Sequence, residues 1–342
     1  MSFLGIFNLM TNQLQRHKEA VIGTLSRSQY GVKLLQFYGR SKQKLKTSVI
    51  KKHRKSRPVL PKQNHVLTTY APNTRLHDSL WTILIHFFQE FRRTRWQIWV
   101  TFKRDFVSSY NQTALGFLWS IVMPLIPVTV YLLLAAIRVL ATTEDMPFVI
   151  YIVVGMTIWT FLSGTITSSV NSIQLGKSIL ESSRYPVFAV IMSNFGQMVY
   201  ELLVRSTFVV TVLLFFRVSV SWTVLLLPLV LIPLVMFSLG AGMILAVLNI
   251  ILKDINNIVN LVLRYGIFLS SVIFPMTETG VLGYLNKFNP FNTFVVTVRD
   301  FIVFGQITAW ELYLVTSVMS FIVFLLACKI LYFMEFRIKG YL

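Results

Sequence analysis

The stretch Arg104-Asp105-Phe106-Val107-Ser108-Ser109-Tyr110-Asn111-Gln112-Thr113-Ala114-Leu115-Gly116-Phe117-Leu118-Trp119, with Pro124 just beyond it, decides the fold. On its N-terminal side the chain is basic and rich in aromatic residues. On its C-terminal side begin apolar runs of about 20 residues, the length needed to cross a hydrocarbon core. The stretch therefore marks the passage from a water-facing head into a first membrane span.

The charge distribution agrees. The 342 residues carry a net charge of +19, but residues 1–104 hold 20 Lys and Arg against 3 Asp and Glu, whereas residues 105–342 hold 12 against 10. A basic head precedes a nearly neutral body. Over the whole chain 55% of residues are hydrophobic, 13% are charged and the mean hydropathy is +0.65, which excludes that body from the soluble class. The apolar runs are continuous rather than alternating, which excludes a transmembrane barrel. The fold class is an all-α integral membrane protein.

Six transmembrane helices are expected, at about 117–140, 147–170, 195–216, 224–251, 258–276 and 308–333. Pro124, Pro127, Pro228 and Pro233 fall within them, tolerable where neighbouring groups satisfy the freed carbonyls. Ahead of them, residues 79–106 place Leu80, Leu84, Phe87, Phe88, Phe91, Ile98, Trp99 and Phe102 at helical spacing, with Glu90, Arg92, Arg93, Arg95, Lys103 and Arg104 between. That pattern predicts an amphipathic helix lying in the membrane interface, with Arg92–Arg95 at its middle barring a span. Between the fifth and sixth spans, Thr277–Ile307 is too long for a loop and too interrupted for a span. It reads as re-entrant or interfacial helices, in which Arg299 and Asp300 must be buried in protein or face water. The domains that follow are a basic cytoplasmic extension, partly disordered, at 1–75; the amphipathic helix at 76–106; a transmembrane domain at 107–335; and a tail at 336–342.

The loops orient the chain. The connection after the first span carries Glu144 and Asp145 and no cation. The next carries Lys177 and Arg184, the connection near the fifth span Lys253 and Arg264, and the tail Arg337 and Lys339. The positive-inside rule places both termini, with the second and fourth loops, in the cytoplasm. Met1–Met10 lacks a positive n-region and a small-residue cleavage site, so the first span is expected to direct insertion. The basic run Lys51-Lys52-His53-Arg54-Lys55 suits anionic cytoplasmic lipid. Nucleic acid is the alternative partner for that run, although charge alone specifies neither groove nor base.

Catalytic chemistry has no constellation to rest on. The sequence has no phosphate-binding Gly-x-x-x-x-Gly-Lys-Ser/Thr loop and no paired-His metal motif. Its histidines, at 17, 53, 65, 77 and 86, all lie in the head and are expected to face solvent. Cys328, the one cysteine, excludes an intramolecular disulfide. Glu201 and Arg205 are four apart at the start of the third span and suit an i,i+4 pair, a proton or ion pathway being the alternative. A pump built on this chain needs its energy source elsewhere.

Three ordered motifs carry a family likeness. The first runs from Arg104-Asp105 through Tyr110, Leu115-Gly116 and Trp119 to Pro124. The second is Lys253-Asp254 followed by Leu269-Ser270-Ser271-Val272-Ile273-Phe274-Pro275. The third is Asn289-Pro290-Phe291, with Arg299 and Gly305 downstream. Together they resemble the ABC-2-type transporter permeases of the polysaccharide, O-antigen and teichoic acid exporter family, over residues 85–335. Lys253 stands where that pattern has Arg, and Ser271 where it usually has Pro.

The resemblance implies a homodimer of six-span subunits served by two separate ABC ATPase subunits. ATP and Mg would be bound by the ATPases, with no cofactor on this chain. It implies that helix 79–106 is a gate helix, with Arg92, Arg93, Arg95, Trp96 and Trp99 near a lipid-linked pyrophosphate. It implies that Ser172–Pro186, with Lys177, Glu181 and Arg184, is the loop that docks on the ATPase. It also implies a channel at the dimer interface from the first and fifth spans, where Gly116, Trp119, Ser120, Tyr131, Ser270 and Ser271 lie. The function implied is export of a lipid-linked polysaccharide, O-antigen first, capsule or teichoic acid next. The rivals are an exporter of drugs or small lipids, a non-transporting scaffold for glycan synthesis, and a proton-coupled carrier. The scarcity of ionisable groups in the spans argues against the last.

Overall fold

The computed structural model describes residues 79–111, 118–137, 146–182, 185–275 and 288–341, together with 283 and 286. All of them belong to one compact unit, Ala71–Leu342. The extension 1–75 and its basic run, Leu115, Gly116, the acidic pair Glu144-Asp145 and Arg184 lie outside the described residues.

Every regular element among the described residues is helical. In chain order these are α1 (Leu80–Asn111), α2 (Leu118–Ala136), α3 (Phe148–Leu175), the short α4 (Lys177–Ser182) and α5 (Val187–Phe215). A 3-10 turn (Trp222–Leu226) then leads into α6 (Leu227–Val230), α7 (Ile232–Ile251) and α8 (Ile255–Gly266). A second 3-10 turn (Ile267–Leu269) precedes α9 (Pro290–Phe304) and α10 (Trp310–Tyr341). Among the described residues four stretches are long and apolar enough to cross a membrane: Phe148–Leu175, Val187–Phe215, Trp222–Ile251 and Trp310–Glu335. The elements in the first and fifth expected spans are apolar but shorter.

Prolines set several boundaries. Pro147 and Pro186 sit at the N-caps of α3 and α5, where a missing N–H leaves no carbonyl unpaired. Pro228 and Pro233 occupy first-turn positions of α6 and α7 and so divide the expected fourth span into consecutive pieces. The expected third span begins at Val187, eight residues earlier than 195, because the chain is helical as soon as Pro186 is passed. Gly305 ends α9 at φ +74°, a left-handed turn natural to glycine, and its carbonyl accepts from the Thr223 hydroxyl at 2.9 Å.

Helix α3 is the centre of the bundle. It packs on α7 and α5, while α2, α8 and α9 lie against it; α7 in turn packs on α10, and α1 lies along α5. Buried hydroxyls of α3 donate within the helix at two places, Thr157 to Val153 O and Thr165 to Phe161 O, both at 2.7 Å. These polar residues thus cross an apolar interior with their donors paired, whereas the buried Ser169 Oγ has no hydrogen-bond partner. Buried apolar side chains form two clusters. One joins α3 to α9 and includes Ile150, Leu162, Val272, Phe294 and Val298. The other joins α1, the start of α5, α7 and the end of α10 and includes Ile83, Phe87, Ile191, Met243 and Leu331.

Candidate functional site

Three features stand out from this scaffold. The first is the junction of α1 with the α4 turn. Helix α1 buries Ile83, Phe87, Thr94 and Thr101 against the bundle. Phe87 packs on Phe188 at 4.8 Å, and Phe106 meets Tyr200 edge-on at 4.6 Å. The Thr101 and Tyr185 hydroxyls lie 3.3 Å apart, tying α1 to the α4–α5 connection. Burial pushes the Tyr185 phenol above its ordinary pKa, and the Thr101 hydrogen bond opposes that shift. On α4, Lys177 and Glu181 form an exposed i,i+4 pair at 3.6 Å, while Leu180 is buried beneath them. Arg92, Arg93, Arg95, Trp96 and Trp99 lie on the exposed side of α1. His86 does not face solvent as expected: it is half-buried, with its ring edge-on to Tyr332 at 5.0 Å, because α1 packs there on α10.

The second feature is a cleft of about 720 Å³ between α3 and α8. Trp159, Thr160, Ser163 and Thr167 line it from α3; Asn257, Asn260, Arg264 and Tyr265 line it from α8. Thr160 and Ser163 donate to their own helix, at 2.6 Å to Met156 O and 2.7 Å to Trp159 O, which leaves their oxygens able to accept. Asn260 donates to Asn256 Oδ1 at 3.2 Å. Side-chain amides, hydroxyls and the exposed ring of Tyr265 thus share one hollow, with Trp159 largely buried in its wall.

The third feature lies where α8 ends. Arg299 of α9 is 2% exposed and stands 3.6 Å over the ring of Tyr151. Its Nη2 donates to the Ser271 carbonyl at 2.7 Å, and the Tyr151 hydroxyl donates to the same oxygen at 2.7 Å. Gly155 provides the slot, since a Cβ there would sit 2.5 Å from Arg299 Nη2 and 2.9 Å from Val272 O. Asn289 caps α9 by accepting from Phe291 N at 3.0 Å and donates to Leu269 O at 2.6 Å and Ser270 Oγ at 3.3 Å.

The candidate residues read from sequence are distributed accordingly. Arg104 and Asp105 pair with each other at 2.7 Å on α1, and Tyr110 falls on its last turn. Trp119, Ser120 and Pro124 lie on α2, as does the half-buried Tyr131. Lys253 and Asp254 are exposed between α7 and α8, and Pro275 is half-buried beyond Ser271. Ser270 and Ser271 are buried in the clamp at the end of α8 rather than in the cleft wall. Glu201 and Arg205 pair at 3.9 Å on α5. Sequence reasoning missed Thr101, Tyr151, Gly155, Trp159, Tyr185 and Tyr265, whose partners are far away along the chain. Among the described residues no group of three His, Cys, Asp or Glu is gathered to hold a metal.

Comparison with known proteins gives this geometry a family. The profile of the ABC-2 type transporter family matches residues 96–303, more than half of the chain. An O-antigen export system permease protein RfbA of Myxococcus xanthus is 25% identical over 179 residues, 51% of this chain and 66%, just under two thirds, of that protein. Two proteins of the same name from Klebsiella pneumoniae are 21% identical over 207 residues (60% of this chain, 79% of theirs) and 19% identical over 237 residues (68% and 90%). With its apolar helical bundle and its three motifs, the chain belongs to the ABC-2 type transporter family and is a membrane component of a transport system.

Proposed function

We propose that this chain is the permease subunit of an ATP-driven exporter that carries a lipid-linked polysaccharide out of the bacterial cytoplasm, O-antigen being the first candidate. The α3–α8 cleft carries the reading. A glycan presents apolar C–H faces and many hydroxyls, and it must slide rather than stay bound. Tyr265 offers an exposed flat face, and the Asn, Ser and Thr side chains offer exchangeable hydrogen bonds. Binding that is favourable to enter and weak enough to leave is what conduction requires. The names of the three relatives support the same cargo class.

In this proposal two copies face each other and their clefts combine. Helix α2 and the segment from α8 to Pro275 complete six spans in each subunit, and α9 is re-entrant. Two ABC ATPases bind ATP and Mg and dock on the stretch Ser172–Pro186, through Lys177 and Glu181 of α4 and through Arg184. Their closure is passed through the Thr101–Tyr185 contact to α1, the gate for the lipid pyrophosphate. Both termini are cytoplasmic.

One observation favours a second reading, export of a small lipid or drug. An apolar cavity of about 350 Å³, lined by residues such as Val154, Ile158, Leu202, Val209, Leu213 and Leu227, has the size of a small-molecule site. Its lining carries two hydroxyls, on Thr157 and Ser206, and is otherwise apolar. Few groups are therefore present to orient a polar cargo.

The test is surface glycan in cells that lack the chain and are complemented with variants. The glycan reading requires that lipid-linked polymer accumulate inside without the chain, and that Tyr265→Ala reduce export while Val210→Phe, at the rim of the apolar cavity, does not. The reverse pattern, or glycan export independent of the chain, would select the small-molecule reading.

A further inference from the structure

Ser271 has φ 45°, in the left-handed region that a residue bearing Cβ occupies only when its surroundings impose it. The surroundings here are specific. Tyr151 and Arg299 both donate to the Ser271 carbonyl, filling its two lone pairs, and Asn289 grips Leu269 O and Ser270 Oγ. Just upstream, α8 buries Val259 and Leu263 on the bundle and turns Ile258, Leu261, Val262 and Tyr265 outward. Within the chain the helix rests on one apolar face, and the hydrogen bonds that fix the backbone lie beyond its C-terminal end, at residues 269–271.

A buried guanidinium is a poor means of plain stabilisation, because apolar side chains of similar volume fill such a site at lower desolvation cost. Arg299 is almost fully buried, and its Nε has no hydrogen-bond partner. What the residue supplies is a definite geometry. It stacks on Tyr151 of α3, lies in the slot left by Gly155, and fixes one carbonyl at the point where the chain leaves α8.

We infer that Arg299 and Tyr151 are positioning residues for export: by clamping the Ser271 carbonyl they make residues 270–271 a fixed pivot about which α8 turns to widen or narrow the Trp159–Tyr265 cleft. This rests on the reading of that cleft as the cargo path. Arg299 acts through the backbone of the pivot and touches no cargo.

The experiment uses the full chain with its ATPase in proteoliposomes and native membranes. A Cys328→Ser background carries spin labels at Ser163→Cys on α3 and Asn260→Cys on α8, which face the same cleft. With Arg299 intact, the label distance takes discrete values that change with nucleotide. In Arg299→Met the distribution broadens and no longer follows nucleotide. Export, measured in the unlabelled chain because both labelled positions line the cleft, falls about tenfold, the factor for loss of one charge-assisted hydrogen bond, while ATP hydrolysis and ATPase binding persist. Arg299→Lys recovers part of the loss. Gly155→Ala reproduces Arg299→Met without adding to it, since both act on the same clamp. Tyr151→Phe, which keeps the ring and removes one donor, gives an intermediate shift and covers the case in which Arg299→Met fails to insert. The inference is overturned if α8 does not move with nucleotide, or if Tyr151→Phe and Arg299→Met leave the distances unchanged. If the distances respond as stated but Tyr265→Ala leaves glycan export intact, the pivot stands and the cargo path lies elsewhere.

Discussion

The hydroxyl of Thr101 on α1 lies 3.3 Å from the hydroxyl of Tyr185 in the α4–α5 connection, both side chains buried, and joins segments 84 residues apart. The contact is a direct polar link between the helix expected to act as a gate and the turn expected to meet an ATPase. Removing either hydroxyl, as Thr101→Val or Tyr185→Phe, should destabilise the protein by only about 1 kcal/mol. If the link transmits motion, each variant should lose most export with ATP hydrolysis retained, and the double variant should be no worse than either single one. Additive losses in a double-mutant cycle would show that the two residues act separately.

The same pair has a pH signature. Burial raises the Tyr185 pKa in the folded protein above its unfolded value. The stability it contributes is therefore fully present below about pH 10, the ordinary tyrosine value, and is lost as pH rises through the folded pKa. Thermal melts of the solubilised protein should coincide for the parent and Tyr185→Phe in slope against pH up to about pH 9. Above that the parent should lose stability more steeply, and parallel curves throughout would show that Tyr185 titrates as it does in the unfolded chain.

On α4, Lys177 and Glu181 pair at 3.6 Å in an exposed position, where such a pair contributes little to stability. Their exchange, Lys177→Glu with Glu181→Lys, keeps the mutual attraction and reverses what a partner sees. Melting should be unchanged for the single and exchanged variants. Export and ATPase co-purification should fail in all of them if the pair serves docking. Recovery in the exchanged variant would assign the pair to holding α4 together.

Much of the fold was legible because its signals are local. The apolar runs, the position of α1 and the Glu201–Arg205 pair follow from helical spacing. The break of the fourth expected span was present in Pro228 and Pro233, but whether neighbours absorb a proline inside a span depends on packing. At the candidate site, sequence marked Arg299 as a charge that must be buried in protein or face water. Its partners, Tyr151 and the Ser271 carbonyl, come from other elements and leave no periodic trace. The basic composition of the head likewise misled the reading of His86, whose surroundings are set by the packing of α1 on α10.

Glu201 and Arg205 lie 3.9 Å apart on α5, half-buried, within a helix long enough to span the membrane. A structural pair and a proton path make opposite predictions. Removing one partner leaves the other charge unmatched in a poorly hydrated place, so Arg205→Met should lower the yield of inserted protein. Removing both, as Glu201→Gln with Arg205→Met, should restore insertion and leave export and its pH dependence near the parent's, because the charges neutralise each other and carry nothing onward. Glycan export measured in vesicles with an imposed pH gradient provides the check. Restored insertion with export abolished would mean that these charges serve transport itself.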